Sequence, residues 1–365
     1  MLIAEAPAAE DRRKHLTAIS RAVPISRMVD YGVPLGDALF VHGATASTPL
    51  PDWDEVCEGQ AQRHLTLARE AAAAGNRLTA AAAFRAASAL LQCSQLAFHA
   101  DSERKAALYT AAHSAMLEHA ALSTDLKPVR IDTSDGVMHA WLVLPPDVVV
   151  SAAVVVVGGL SGWGASYLDM GRALAARGMV ALLAEGPGQG LTRIEGRLHL
   201  DGNTLPLLGR FVDHVVLLGA SRIGVWGNSF GGLFAAHLAV RDGRVAALCI
   251  NGAPMEPTVP SFRTVREQMA AVFGAHSDDE LTARVRDLAL DPRHQLTRAD
   301  LLVVEGGHDP LVPLGSQSAF AALTTSTVVS TLGWPDGEHT IYNHSDERNA
   351  RVGDWFAARL AQPAT

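Results

Sequence analysis

The spacing of apolar residues changes once along the chain, near residue 125. Before that point they recur every three to four positions, the signature of helices with one packed face. The pattern predicts helices over 10–22, 60–74, 78–99 and 102–120, and an irregular connection over 33–53 marked by Pro34, Pro49 and Pro51. Gly75-Asn76 is a C-terminal stop signal and Asp101 a candidate N-cap. On the third helix Phe84, Ala87, Leu91 and Phe98 share a face, and on the fourth Leu108, Ala112, Ala115 and Met116 do. Faces this rich in alanine let helices approach closely, so residues 1–126 read as a helical domain.

Beyond residue 125 the period becomes that of strands. Val129-Arg130-Ile131-Asp132, a turn at Gly136, and Val137 to Leu144 ending at Pro145-Pro146 predict a hairpin. From Ala152 strand and helix alternate. Wholly apolar runs such as Ala153-Val154-Val155-Val156-Val157 are those of strands buried on both faces of a parallel sheet. Further strands are expected over 179–184, 220–226, 244–251, 301–305 and 326–332, and helices over 167–177, 205–218, 233–240, 316–323 and 346–360. Residues 256–296 read as a helical insertion. Alternating βα units predict a doubly wound, mostly parallel α/β sheet over 127–365.

Composition narrows the partners. A chain of 365 residues with 48% hydrophobic residues can bury a large core, and its net charge of −8 disfavours nucleic acid and anionic membranes. Cys57, Cys93 and Cys249 are too few and too far apart for a disulfide framework or a cysteine zinc site. They read as reduced, buried thiols of a cytoplasmic protein. Met1 to Pro7 lacks the basic and long apolar regions of a signal peptide, and Val148 to Leu160 is too short to span a bilayer. His64, His99, His113 and His119 lie on predicted helices without a metal-ligand pattern.

Candidate chemistry centres on Gly227-Asn228-Ser229-Phe230-Gly231-Gly232, between a predicted strand and a predicted helix. A serine between small residues at such a turn is the setting of a nucleophile elbow. The glycines allow a tight turn, and the helix N-terminus favours negative charge. Serine needs a base and the base an orienting acid; in this architecture the chain order is serine, acid, histidine. Asp309, past the strand ending at Glu305, is the favoured acid, and Asp336 its competitor. His339, past the last strand, is the favoured base; His308 and His344 are its neighbours. An oxyanion would be held by two backbone N–H groups, of Phe230 and, from the loop Gly158-Gly159-Leu160-Ser161, of Leu160. That loop lacks the lysine and the glycine spacing of a phosphate cradle, so no nucleotide cofactor is expected. Ser161 and Trp163 are candidate substrate-binding residues.

Taken together, Gly158-Gly159-Leu160, Gly186-Pro187-Gly188-Gln189-Gly190, the Ser229 elbow, His308-Asp309 and Asp336-Gly337-Glu338-His339 resemble the α/β-hydrolase superfamily. The similarity extends to its branch with an N-terminal helical cap, that of 2,6-dihydroxypseudooxynicotine hydrolase, a carbon–carbon bond hydrolase. The resemblance implies an α/β-hydrolase fold over 127–365, a helical cap over 1–126, a Ser229–His339–Asp309 triad and a small-molecule pocket between cap and core, with no cofactor or metal. A cap of this kind can support a homodimer. Ser161 offers a hydroxyl rather than a carboxylate, and a hydroxyl is no acid or base at neutral pH. The expected reaction is therefore hydrolysis of an ester, thioester or related acyl bond of a hydrophobic small molecule. Carbon–carbon cleavage, acyl transfer or cyclisation on the same scaffold is the alternative, and a catalytically silent binding protein a third reading.

Overall fold

The computed structural model describes residues 9–45, 51–146, 150–160, 162–261 and 263–361. The start of the chain through Pro7, Pro49 and Ser161 lie outside the described residues. The chain divides into two compact units, Met1–Ser123 and Thr124–Thr365.

The first unit is helical: α1 (Ala9–Ala22), α2 (Ile25–Asp30), α3 (Leu35–Ala44), α4 (Trp53–Ala73), α5 (Arg77–Gln95) and α6 (Glu103–Leu122). Ala68, Ala71, Ala80, Ala83 and Phe84 form one buried cluster where α4 meets α5. The Ser88 hydroxyl donates to the Ala112 carbonyl, 2.6 Å away, and ties α5 to α6. Small side chains leave room for such backbone-level contact. Two expectations are corrected here. Residues 33–53 are not irregular throughout, because α3 occupies Leu35–Ala44 and α4 begins at Trp53. Pro24 and Pro34 stand at the N-caps of α2 and α3, where the absent N–H costs nothing, so proline opens these helices rather than breaking them. The cap of α6 is Ser102, whose hydroxyl accepts from the Lys105 N–H at 3.1 Å, and not Asp101.

The second unit opens with the antiparallel hairpin β1 (Leu126–Thr133) and β2 (Gly136–Val143). It continues through β3 (Ala152–Val157), α7 (Leu168–Ala175), β4 (Val180–Glu185), α8 (Gly190–Ile194), α9 (Gly209–Leu217), β5 (Arg222–Asn228), α10 (Phe230–Arg241) and β6 (Val245–Asn251). The insertion carries α11 (Arg263–Phe273) and α12 (Asp278–Arg286); β7 (Asp300–Gly306), β8 (Val329–Trp334) and α13 (Ser345–Leu360) follow. Residues 316–323 form a 3-10 helix rather than an α-helix. The short α8, just after a glycine-rich turn, carries no periodic signal long enough to predict.

Eight strands form one sheet in the order β1-β2-β4-β3-β5-β6-β7-β8. The strands from β4 to β8 run parallel, and β1 and β2 are antiparallel at one edge. The alternation of side chains along a strand decides what each face meets. Ala153, Val155, Val157, Ile223 and Val225 share one core with Phe211 and Val215 of α9 and Leu233 and Phe234 of α10. On the other face Trp226 packs against Phe356 of α13, ring centres 6.2 Å apart. A Cβ at Gly224 would come within 2.6 Å of the same phenyl ring. The chain leaves β3 toward β4 on one side and β5 toward β6 on the other, so a topological switch point lies between β3 and β5. The carboxyl ends of strands at such a point are where open α/β sheets bind ligands.

Candidate active site

Ser229 is the residue between β5 and α10. Its backbone has φ +54° and ψ −135°, a conformation disfavoured for any residue with a Cβ. It is held there by its N–H donating to the Asn251 carbonyl at 2.7 Å, and its own carbonyl accepts from the Gly232 N–H at 2.8 Å. The flanking glycines are dictated by space. A Cβ at Gly227 would stand 2.3 Å from the Gly231 carbonyl oxygen, and one at Gly231 2.3 Å from the Gly158 carbonyl oxygen. Strain of this kind, enforced by packing, accumulates at functional sites.

Asp309 lies just beyond β7 and His339 just beyond β8. The structure brings both to Ser229: His339 Nε2 is 2.8 Å from Ser229 Oγ, and His339 Nδ1 is 2.8 Å from Asp309 Oδ2. The Asp309 side chain is 2% exposed and that of His339 13%. A carboxylate only accepts hydrogen bonds, so Nδ1–H donates to Asp309 and the lone pair of Nε2 accepts from the serine hydroxyl. The second oxygen of Asp309 accepts the N–H groups of Leu311 and Val312 at 2.8 and 3.0 Å, which fixes the carboxylate's rotation.

The turn carrying His339 is itself constrained. Thr340 and Ile341 both have positive φ, +53° and +62°, unusual for β-branched residues. The Thr340 carbonyl accepts from Asn251 Nδ2 at 3.1 Å and from the buried Arg348 Nη1 at 2.8 Å. Asn251 Nδ2 also donates to Asn228 Oδ1 at 2.9 Å. The segments before the serine and after the histidine thus share one buried polar network. The alternatives separate clearly. Asp336 accepts from His344 Nε2 at 3.0 Å, and both stand apart from the Ser229–His339–Asp309 chain.

Phe230 is the first residue of α10, so its N–H has no acceptor within the helix. Across from it, a Cβ at Gly159 would lie 2.8 Å from Ser229 Cβ and 3.1 Å from Oγ, which puts the Gly158–Leu160 loop beside the hydroxyl. Ser161 is outside the described residues. Trp163 is buried at 1% exposure, and its indole N–H has no hydrogen-bond partner among the described residues.

Two buried side chains, one at the end of β4 and one in the Gly186–Gly190 turn, have contacts that the sequence reading did not assign. Gln189 reaches back to the carbonyls of Gly158 and Gly159. Glu185 ends β4 and accepts the N–H groups of Gly164 at 3.0 Å and Leu191 at 2.8 Å. Burial raises its carboxyl to about 7 against the pull of those two donors. The apparent glycine-rich turn drew attention to the backbone and away from these side chains. An acid and an amide that bracket glycines at a strand end were the available signal.

The arrangement provides a hydroxyl, a base that can take its proton, an anion that stabilises the resulting cation, and N–H groups near a place where charge could form. Among the described residues no group of three His, Cys, Asp or Glu side chains could hold a metal ion.

No family model matches the chain. Among curated proteins it is similar to 2,6-dihydropseudooxynicotine hydrolase of Paenarthrobacter nicotinovorans, 25% identical over 229 residues, covering 61% of this chain and 62% of that protein. It is also similar to hydrolase LUC6 of Fusarium sp, 28% identical over 241 residues, covering 62% and 57%. The chain thus spans less than two thirds of the length of these relatives. Among solved structures, the 2,6-dihydroxy-pseudo-oxynicotine hydrolase superposes with a TM-score of 0.80 at 22% identity, covering 92% of this chain and 95% of the other. Wild-type AbyA5 gives 0.65 at 19% identity, covering 89% and 95%. The second unit therefore has the α/β-hydrolase fold, and the chain as a whole resembles the branch of that superfamily with an N-terminal helical region.

Proposed function

We propose that the chain is a serine hydrolase that cleaves an ester, thioester or related activated acyl bond of a hydrophobic small molecule. The observation that carries this reading is the continuous hydrogen-bond chain from Ser229 Oγ through both ring nitrogens of His339 to Asp309, at 2.8 Å for each link. Ser229 Oγ attacks the acyl carbon while His339 Nε2 takes its proton. Asp309 stabilises the imidazolium from the Nδ1 side. The N–H groups of Phe230 and Leu160 hold the oxyanion, and the imidazolium protonates the leaving alcohol or thiol as the tetrahedral intermediate collapses. Water, deprotonated by the same imidazole, releases the acyl group as a carboxylic acid. Substrate contacts of Ser161 and Trp163 belong to this proposal too.

Relatives that are named hydrolases support the reaction class, and likeness to 2,6-dihydropseudooxynicotine hydrolase keeps a second reading, carbon–carbon bond hydrolysis, in play. The two are separated by turnover of p-nitrophenyl acyl esters of graded chain length, run against a panel of 1,3-dicarbonyl compounds. Ser229-dependent ester cleavage with accumulation of an acyl-enzyme supports the first reading. Cleavage of the dicarbonyl compounds alone replaces it with the second, and turnover that survives Ser229→Ala overturns both.

A further inference from the structure

Gln189 is buried to 1% exposure, and its side-chain amide is saturated by one segment of backbone on either side of it. Nε2 donates to the Gly158 carbonyl at 2.5 Å and to the Gly159 carbonyl at 2.9 Å, which uses both of its protons. Oε1 accepts the Gly186 N–H at 2.9 Å. Only this orientation of the amide pairs donors with acceptors. The Gly159 carbonyl also accepts from the Gly162 N–H at 2.8 Å, so two donors anchor it.

A trans peptide unit is planar, and its C=O and N–H point in opposite directions. The carbonyl of Gly159 and the N–H of Leu160 belong to one such unit. Whatever pins the carbonyl also aims the N–H. The same holds one unit earlier, for the Gly158 carbonyl and the Gly159 N–H. Glycine backbone has little preference of its own, and this loop lies beside Ser229, with a Cβ at Gly159 only 2.8 Å from that of the serine. A buried side chain donating to two successive carbonyls removes the freedom that the glycines would otherwise leave.

We propose that Gln189 is a positioning residue of the oxyanion hole: by holding the Gly158 and Gly159 carbonyls it turns the Leu160 N–H toward the oxyanion. This rests on the serine-hydrolase reading above. Gln189 touches neither substrate nor nucleophile in this role. It acts through a backbone peptide, so its loss is felt where charge develops and not in ground-state binding.

The test uses the full chain with p-nitrophenyl butyrate as substrate and an alkyl trifluoromethyl ketone as a mimic of the tetrahedral adduct. Two variants are compared with the native protein: Gln189→Met, which keeps volume without donors, and Gln189→Glu, which keeps shape and places an acceptor against two carbonyls. Removing one oxyanion donor outright costs about 10²–10³-fold in kcat, and a misdirected donor is expected to cost about 10–100-fold. KM should stay within about threefold, and the ketone's inhibition constant should weaken by the same factor as kcat/KM. Should Gln189→Met fail to fold, Gln189→Glu carries the same comparison. Values of kcat/KM within about twofold of native in a folded variant overturn the proposal, as does a loss of kcat with undiminished affinity for the ketone. Ser229→Ala, measured alongside, tells the two levels apart. If the native protein shows no Ser229-dependent turnover, the hydrolase reading falls and this role with it; if that turnover is present but indifferent to Gln189, only this role falls.

Discussion

Replacing Asp309 by asparagine probes the His339 tautomer with almost no change of shape. The carboxylate has two different tasks: one oxygen accepts two backbone N–H groups, of Leu311 and Val312, and the other accepts His339 Nδ1–H. An asparagine has one accepting end. If its oxygen stays with the two backbone donors, its NH₂ faces Nδ1 and donates to it. The ring proton must then sit on Nε2, where it points at Ser229 Oγ and cannot accept the serine proton. If the amide flips, the right tautomer returns but the two backbone N–H groups lose their acceptor and meet an NH₂. The Val312 bond is half-buried and the Leu311 bond is exposed, so the loss falls mainly on one donor at about 1–3 kcal/mol, and the flipped amide lies about 1–3 kcal/mol higher. At about 1.4 kcal/mol per decade, that lowers the population of the competent tautomer by about 5–150-fold. The same substitution in a Ser-His-Asp protease lowers kcat by about 10⁴. The expected result with p-nitrophenyl esters is a fall in kcat of at least about fivefold and up to about 10⁴, with KM little changed and an unaltered circular dichroism melt. A folded Asp309→Asn protein within about twofold of native kcat would refute the assignment of Asp309 to the histidine.

Asp336→Asn is expected to leave kcat within about twofold of native, since Asp336 pairs with His344 at the surface and not with His339; a loss comparable to that of Asp309→Asn in parallel steady-state assays would reverse the choice of acid. Gly231→Ala should destabilise the fold by about 3 kcal/mol or more, because the new methyl meets the Gly158 and Val157 carbonyl oxygens at 2.3 and 2.4 Å; urea unfolding measures this, and an unshifted midpoint would show that the elbow can open. Glu185 should make stability pH-dependent. Its folded value is raised from 4.5 to about 7, so the stability it contributes is full below 4.5, declines as the pH rises toward 7, and is lost above. Urea titrations at pH 4.5 and 7.5 should show that decline in the native protein and a flatter profile in Glu185→Gln; parallel profiles would mean that the carboxyl is already ionised at pH 4.5.

The sheet was legible because its strands are buried on both faces, and runs such as Ala152–Val157 have no alternative reading of that length. The placing of Ser229, Asp309 and His339 followed from the same source. Each sits just past a strand, and strand ends are what apolar runs mark best. The helical unit was read less well. Pro34 marks an irregular connection in the sequence, whereas it begins α3; whether a proline opens or closes a helix depends on which side carries the packed residues, here Ala38 and Val41. Glu185 and Gln189 were invisible for a different reason. Their importance lies in what their side chains reach, the loop after β3, which is 21 residues away for Glu185 and 31 for Gln189 and is neighbour to them only because β3 and β4 pair. Periodicity reports which face a residue occupies and carries no information on such cross-loop hydrogen bonds.

The most direct test of the central claim is to locate the covalent adduct formed by a fluorophosphonate. Attack by Ser229 Oγ expels fluoride and leaves the serine phosphonylated. The account predicts one adduct per chain by intact mass, its peptide mapping to Ser229, no adduct in Ser229→Ala, and labelling slowed strongly in His339→Ala. Equal labelling of native protein and Ser229→Ala, or an adduct mapped to another residue, would contradict it.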